Sequence, residues 1–75
     1  MSIELVRATI ARYLTEHGRP VPEIRPSARI MADIGLDSLA LAVIVIELEE
    51  QTGKDPFANG FREFSTVEEL AALYA

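Results

Sequence analysis

Chemistry in this 75-residue chain concentrates in Gly35-Leu36-Asp37-Ser38-Leu39, where a serine sits at the mouth of an apolar, helix-forming run. Three roles fit a serine there. In the first it only opens a helix, since Asp and Ser are preferred at helix starts, where their oxygens accept backbone N–H bonds. In the second it is a nucleophile, which needs a neighbouring base. The only histidine is His17, next to Gly18, where a helix C-terminus and its dipole favour it. The segment also lacks the G-x-S-x-G elbow, and so short a chain leaves little room for an enzyme-sized pocket. In the third role another enzyme modifies Ser38. Gly35 permits a tight approach, Leu36 and Leu39 can anchor the turn, and the hydroxyl can face outward. A phosphodiester there would meet the free N–H groups and positive dipole end of a helix.

Composition narrows the choice. The chain has no cysteine, so it has no disulfide framework, thiol nucleophile or cysteine-ligated metal site. A chain of this size buries only about 60% of its unfolded surface, so a single domain over residues 1–75 with one modest core is expected. Net charge is −5 and the pI is near 4.7, against the basic patch that nucleic acid demands. The charge is uneven: residues 1–32 carry five Arg and three Glu, whereas residues 33–75 carry nine acids against Lys54 and Arg62. That acidic half is either a steering field for basic partners or a set of solvated helix faces. The N-terminus shows no signal-peptide pattern. The longest apolar run, residues 39–46, falls far short of the roughly 20 residues a membrane span needs. A soluble, cytoplasmic monomer is expected.

The elements that must position Ser38 are all helical. Ile3, Val6, Ile10, Tyr13 and Leu14 recur at three- and four-residue steps, predicting a helix over residues 3–17 with Ser2 as its cap and Gly18 as its stop. Residues 18–37 read as a long loop, since Pro20, Pro22 and Pro26 forbid a regular helix. Ile24, Ile30, Met31 and Ile34 would pin this loop across the helices, with a turn near residues 29–33. The second helix begins at Asp37 or Ser38 and ends near Thr52 before Gly53. A third, short and irregular helix is expected around residues 57–62. The last opens on the capping box Thr66-Val67-Glu68-Glu69 and buries Val67, Leu70, Leu73 and Tyr74. The class is all-α, a small four-helix bundle.

The stretch Asp33-Ile34-Gly35-Leu36-Asp37-Ser38-Leu39, with Glu47-Leu48-Glu49-Glu50 and Gly53 after it, resembles the signature and recognition helix of the acyl and peptidyl carrier proteins. Phe64-Ser65-Thr66-Val67-Glu68-Glu69-Leu70 is similar to the entry of that family's last helix. The resemblance implies a four-helix carrier fold with a long first loop and no catalytic activity. It also implies 4′-phosphopantetheine attached to Ser38, donated by coenzyme A through a phosphopantetheinyl transferase. The thiol of that arm would hold the cargo as a thioester, which lets a cysteine-free chain take part in thioester chemistry. An acyl- or aminoacyl-loading enzyme and a downstream transferase or synthase are the implied partners. The initiating Met and short ends fit a free-standing chain. An acidic helical interaction module without a prosthetic group is the alternative from another class.

Two departures from the family's fatty-acid members bear on partners and cargo. Those members carry acids soon after the serine, where this chain has Ala40 and Val43; its own acids come later, at Glu47, Glu49 and Glu50. Residues 39–46 are apolar all round, whereas a surface helix is amphipathic. Either the loop covers the surplus as extra core, or Asp37, Leu39, Ala40, Val43, Ile46, Glu47 and Glu50 form a partner-docking face. A dedicated partner in polyketide or peptide-type secondary metabolism fits the second reading. Phe57, Phe61 and Phe64 resemble aminoacyl and peptidyl carriers, and either complete a small core or form a lip beside the arm. The G-L-D-S-L wording leans toward polyketide carriers, so the cargo class stays open.

Overall fold

A computed structural model describes residues 3–75, in the order α1 (Ile3–Glu16), α2 (Ser38–Thr52) and α3 (Val67–Leu73). The predicted Ser2 cap lies outside the described residues. On α1 the spacing of Val6, Ile10 and Leu14 puts all three in the core, with Ile3 and Tyr13 packed against it. The same stripe contains a polar residue. Thr9 is fully buried, and its hydroxyl donates to the Leu5 carbonyl and accepts from Gln51 Nε2 on α2. A buried hydroxyl is tolerated when it is bonded in this way. Arg12 and Glu47 add an ion pair between the same two helices.

The long loop is pinned as predicted by Ile24, Ile30 and Ile34, which are buried with Leu36. Met31 is not an anchor, because it stands 51% exposed in the turn over residues 30–33. This turn is held by Asp33, whose carboxylate accepts from the Arg29 backbone N–H at 2.8 Å. That bond, with the Arg29 side chain, keeps the Asp33 carboxyl below its ordinary range. The loop also completes α3. The Val67 and Glu68 N–H groups have no partner within their own helix, and they donate to the carbonyls of Ala28 and Pro26. The predicted capping box is present, with Thr66 accepting from Glu69 N and the Glu69 side chain reaching back. A seven-residue helix is too short to persist alone in water; these bonds and the burial of Val67, Leu70 and Ala71 stabilise it.

The fold class is as expected, but the described residues hold three helices rather than four. Where a short helix was predicted over residues 57–62, the chain makes a turn over residues 56–59 and then runs irregularly. Asp55 organises it by accepting from the Phe57 N–H at 3.1 Å. Gly60, at φ +122°, lies in a conformation that ends any helix. Tyr74 caps α3 and is fully buried, with a hydroxyl that has no hydrogen-bond partner.

Candidate functional site

Ser38 is the first residue of α2 and is exposed. Asp37 precedes it in extended conformation and accepts the Ala40 N–H at 2.8 Å as the N-cap. The Ser38 and Leu39 N–H groups precede the first ladder bond, from Leu41 N to the Asp37 carbonyl, and remain available to an acceptor. Among the described residues the Ser38 hydroxyl has no hydrogen-bond partner. Leu36, 2% exposed, anchors the approach from below, and its N–H donates to the Ile30 carbonyl. Gly35 supplies the turn at φ +83°, which an L side chain adopts only with strain. Leu39 does not anchor the turn as predicted; it points outward and is 75% exposed.

Among the described residues no base contacts this serine. His17 is stacked on Tyr13 with ring centroids 4.0 Å apart, and its Nδ1 lies 2.9 Å from the Tyr13 carbonyl. The histidine therefore serves the end of α1, and Ser38 presents an unactivated, accessible hydroxyl.

Ser38 opens onto an apolar groove of about 540 Å³. One side is a stripe of α2, Ser38, Leu41, Val45 and Glu49, spaced so that they share a face. The stripe runs about 16 Å along the helix. Phe57, Phe61 and Phe64 form the other side, with ring centroids 5.9–6.3 Å apart. Phe64 packs against the core, whereas Phe61 is 77% exposed. The three rings thus form a lip, with Phe64 alone joining the fringe of the core. At the far end Glu49 hydrogen-bonds Asp55, which pushes the Glu49 carboxyl above its ordinary range; burial and the Asp55 charge act the same way. The residues of this stripe were missed as a site in the sequence, although steps of three, seven and eleven from Ser38 find them.

The predicted docking residues divide. Leu39, Val43 and Ile46 are exposed, as are Asp37 and Glu50. The loop therefore does not cover this wall of α2. Ala40 has to be removed from the set, because it is 1% exposed and packs in the core with Ile44 and Leu48. Its position on the helix turns it into the core. Glu47 is half-buried and bound to Arg12, so its charge is partly spent inside the molecule.

The site fits a phosphopantetheine group: an exposed, unpartnered hydroxyl, free N–H groups for an anion beside it, and an apolar trough leading away. The sequence matches the family described as phosphopantetheine attachment site over residues 4–74. Acyl carrier protein MbtL of Mycolicibacterium paratuberculosis (strain ATCC BAA-968 / K-10) is 36% identical over 55 residues, which make up 73% of this chain and 62% of that protein. The solution structure of MacpD, an acyl carrier protein from Pseudomonas fluorescens involved in mupirocin biosynthesis, superposes with a TM-score of 0.85 at 35% identity. That match covers 96% of this chain and 66% of the MacpD chain, so this chain spans somewhat under two-thirds of each relative. A helical fold and a family match over residues 4–74 assign the chain to the phosphopantetheine-attachment-site family of carrier proteins, a family of carriers rather than catalysts.

Proposed function

We propose that this chain is an acyl carrier of secondary metabolism, with Ser38 as its attachment residue. The observation that carries the reading is the exposed Ser38 hydroxyl, without partner or base, at a helix start that opens onto an apolar groove. When bound, the arm supplies a thiol that holds the cargo as a thioester. Ser38 provides the oxygen, and Asp37 shapes the first turn by taking the Ala40 N–H. The Ser38 and Leu39 N–H groups, at the positive end of the α2 dipole, would offer donors to a phosphate attached there.

Leu41, Val45 and the three phenylalanines offer apolar surface against which an acyl group can leave water, and this supports acyl over aminoacyl loading. Leu39, Val43 and Ile46, with Asp37 and Glu50 at the rim, form the face on which a transferase or synthase docks. The apolar character of that face favours a dedicated partner over enzymes that select carriers by charge pairing. The mupirocin connection of MacpD supports secondary metabolism, and the Gly35-Leu36-Asp37-Ser38-Leu39 wording leans toward a polyketide-type pathway.

Incubation with coenzyme A and a broad-specificity phosphopantetheinyl transferase, followed by intact mass measurement, tests the reading. One phosphopantetheine on the wild type and none on Ser38→Ala is the expected result. No addition under conditions that load a control carrier leaves only an acidic helical interaction module.

A further inference from the structure

Five arginines precede the attachment motif, and Arg19 stands apart from the other four. Arg7, Arg12, Arg25 and Arg29 lie against Glu4, Glu47, Glu23 and Asp33. Arg19 pairs with no carboxylate among the described residues. Its Nη2 instead donates to the Gly35 carbonyl at 3.0 Å, across sixteen positions of chain. The contact is anchored at both ends. The Arg19 backbone N–H donates to the Leu14 carbonyl at 2.8 Å, tying the residue to the end of α1. A Cβ on Gly35 would stand 3.3 Å from Nη2, a contact the flexible guanidinium can relieve by a small shift, so the positive φ of +83° is what calls for glycine here.

A guanidinium carries five N–H donors, and the Gly35 carbonyl uses one. The remaining fork has the geometry that suits phosphate oxygens. Ser38 is three residues beyond Gly35, so their Cα atoms are at most about 11 Å apart. Charges at that spacing interact at low ionic strength, where the Debye length is about 30 Å at 0.01 M, and are largely screened in physiological salt, where it is about 8 Å. An unpaired positive charge is thus held on the turn that leads into the residue expected to receive a phosphate.

We propose that Arg19 is a positioning residue for the phosphate delivered to Ser38: it tethers the attachment turn through Gly35 and sets a counter-charge beside the phosphodiester. The inference rests on the reading of Ser38 as the attachment residue. In the transfer, Ser38 Oγ forms a bond to the pantetheine-side phosphorus of coenzyme A. The pyrophosphate P–O bond breaks, 3′,5′-adenosine diphosphate leaves with that electron pair, and the serine proton passes to a base of the transferase. Arg19 offsets the negative charge that the chain acquires.

The experiment compares wild type with Arg19→Gln, Arg19→Lys, Arg19→Ala and Arg25→Gln. It reads kcat/KM for loading across a salt series, melting temperature, and the 31P resonance of each holo form. A surface charge of this kind contributes up to about 1 kcal/mol, so Arg19→Gln should lower kcat/KM by up to about fivefold at low salt. Its difference from wild type should close as salt rises, and its 31P resonance should move. Arg19→Lys, which keeps the charge, should recover most of the rate. Arg25→Gln should behave as wild type. An Arg19→Gln protein equal to wild type in both rate and 31P position overturns the proposal, as does an equal loss in Arg25→Gln. If Arg19→Ala unfolds, the glutamine and lysine variants still decide. A wild type that accepts no arm refutes the carrier reading itself, whereas a wild type that loads and matches Arg19→Gln in both rate and 31P position refutes only this inference.

Discussion

On one wall of α2, Ala40, Ile44 and Leu48 are buried; on another, Leu39, Val43 and Ile46 stand in solvent. Both are aliphatic and both follow helical spacing. They differ in what lies opposite: α1 and the rest of the core against the first, mostly solvent against the second. An apolar residue is a stability element when its neighbours remove it from water and a recognition element when they do not. In this helix the two uses are a few residues apart.

Substitutions that separate stability from transfer test the contrast. The largest effect on stability belongs to Ile44→Ala, which should cost about 2–5 kcal/mol by leaving a cavity. In a domain stabilised by roughly 4–11 kcal/mol this should appear as a large fall in melting temperature, with transfer falling alongside. Thr66→Ala, remote from both walls, should cost about 1 kcal/mol through the lost cap, read by denaturant unfolding, without affecting loading of Ser38. Val43→Glu should change stability by only about 0.5 kcal/mol in either direction while depressing transfer to the partner enzyme. Equal losses of stability and transfer in Val43→Glu would erase the distinction between the walls.

Tyr74 sharpens the comparison from the buried side. Burial first, then the charges of Glu49 and Asp55, push its phenol up to about 12, above the ordinary value near 10. The folded state therefore holds the proton more tightly than the unfolded one. Stability from this group is complete below about pH 10 and is lost as pH rises toward 12. Tyr74→Phe should remove that alkaline loss. At pH 7 it should be close to neutral, since the hydroxyl it deletes has no partner; thermal melts at pH 7 and 10.5 read both effects. Glu69 gives the opposite sign. Bonds from the Ser65 and Thr66 N–H groups hold its carboxyl below the usual range, so its contribution is present above the unfolded pKa and fades as pH falls through the folded one.

Most of the fold was legible because local physical chemistry decides it. The stripe on α1, Asp37 before Ser38, Gly53 after Thr52 and the Thr66–Glu69 box all act through bonds within a few residues. The short helix over residues 57–62 failed for a local reason too: Pro56, Asn59 and Gly60 crowd a segment too short to nucleate. The docking face was legible only in part. Helical spacing puts Ala40 and Val43 in one row, but which of them meets the core depends on the rotation of α2 about its axis, and packing sets that.

The sequence by itself determined the helices, the caps and the position of one exposed serine, since each follows from neighbours in the chain. Tertiary structure alone decided that Ala40 faces inward, that Ser38 opens onto a groove floored by Leu41 and Val45 and lipped by phenylalanines some twenty residues away, and that Arg19 reaches Gly35. These depend on how separate elements pack and rotate against one another, and such contacts between residues remote in sequence leave no periodic trace in the chain.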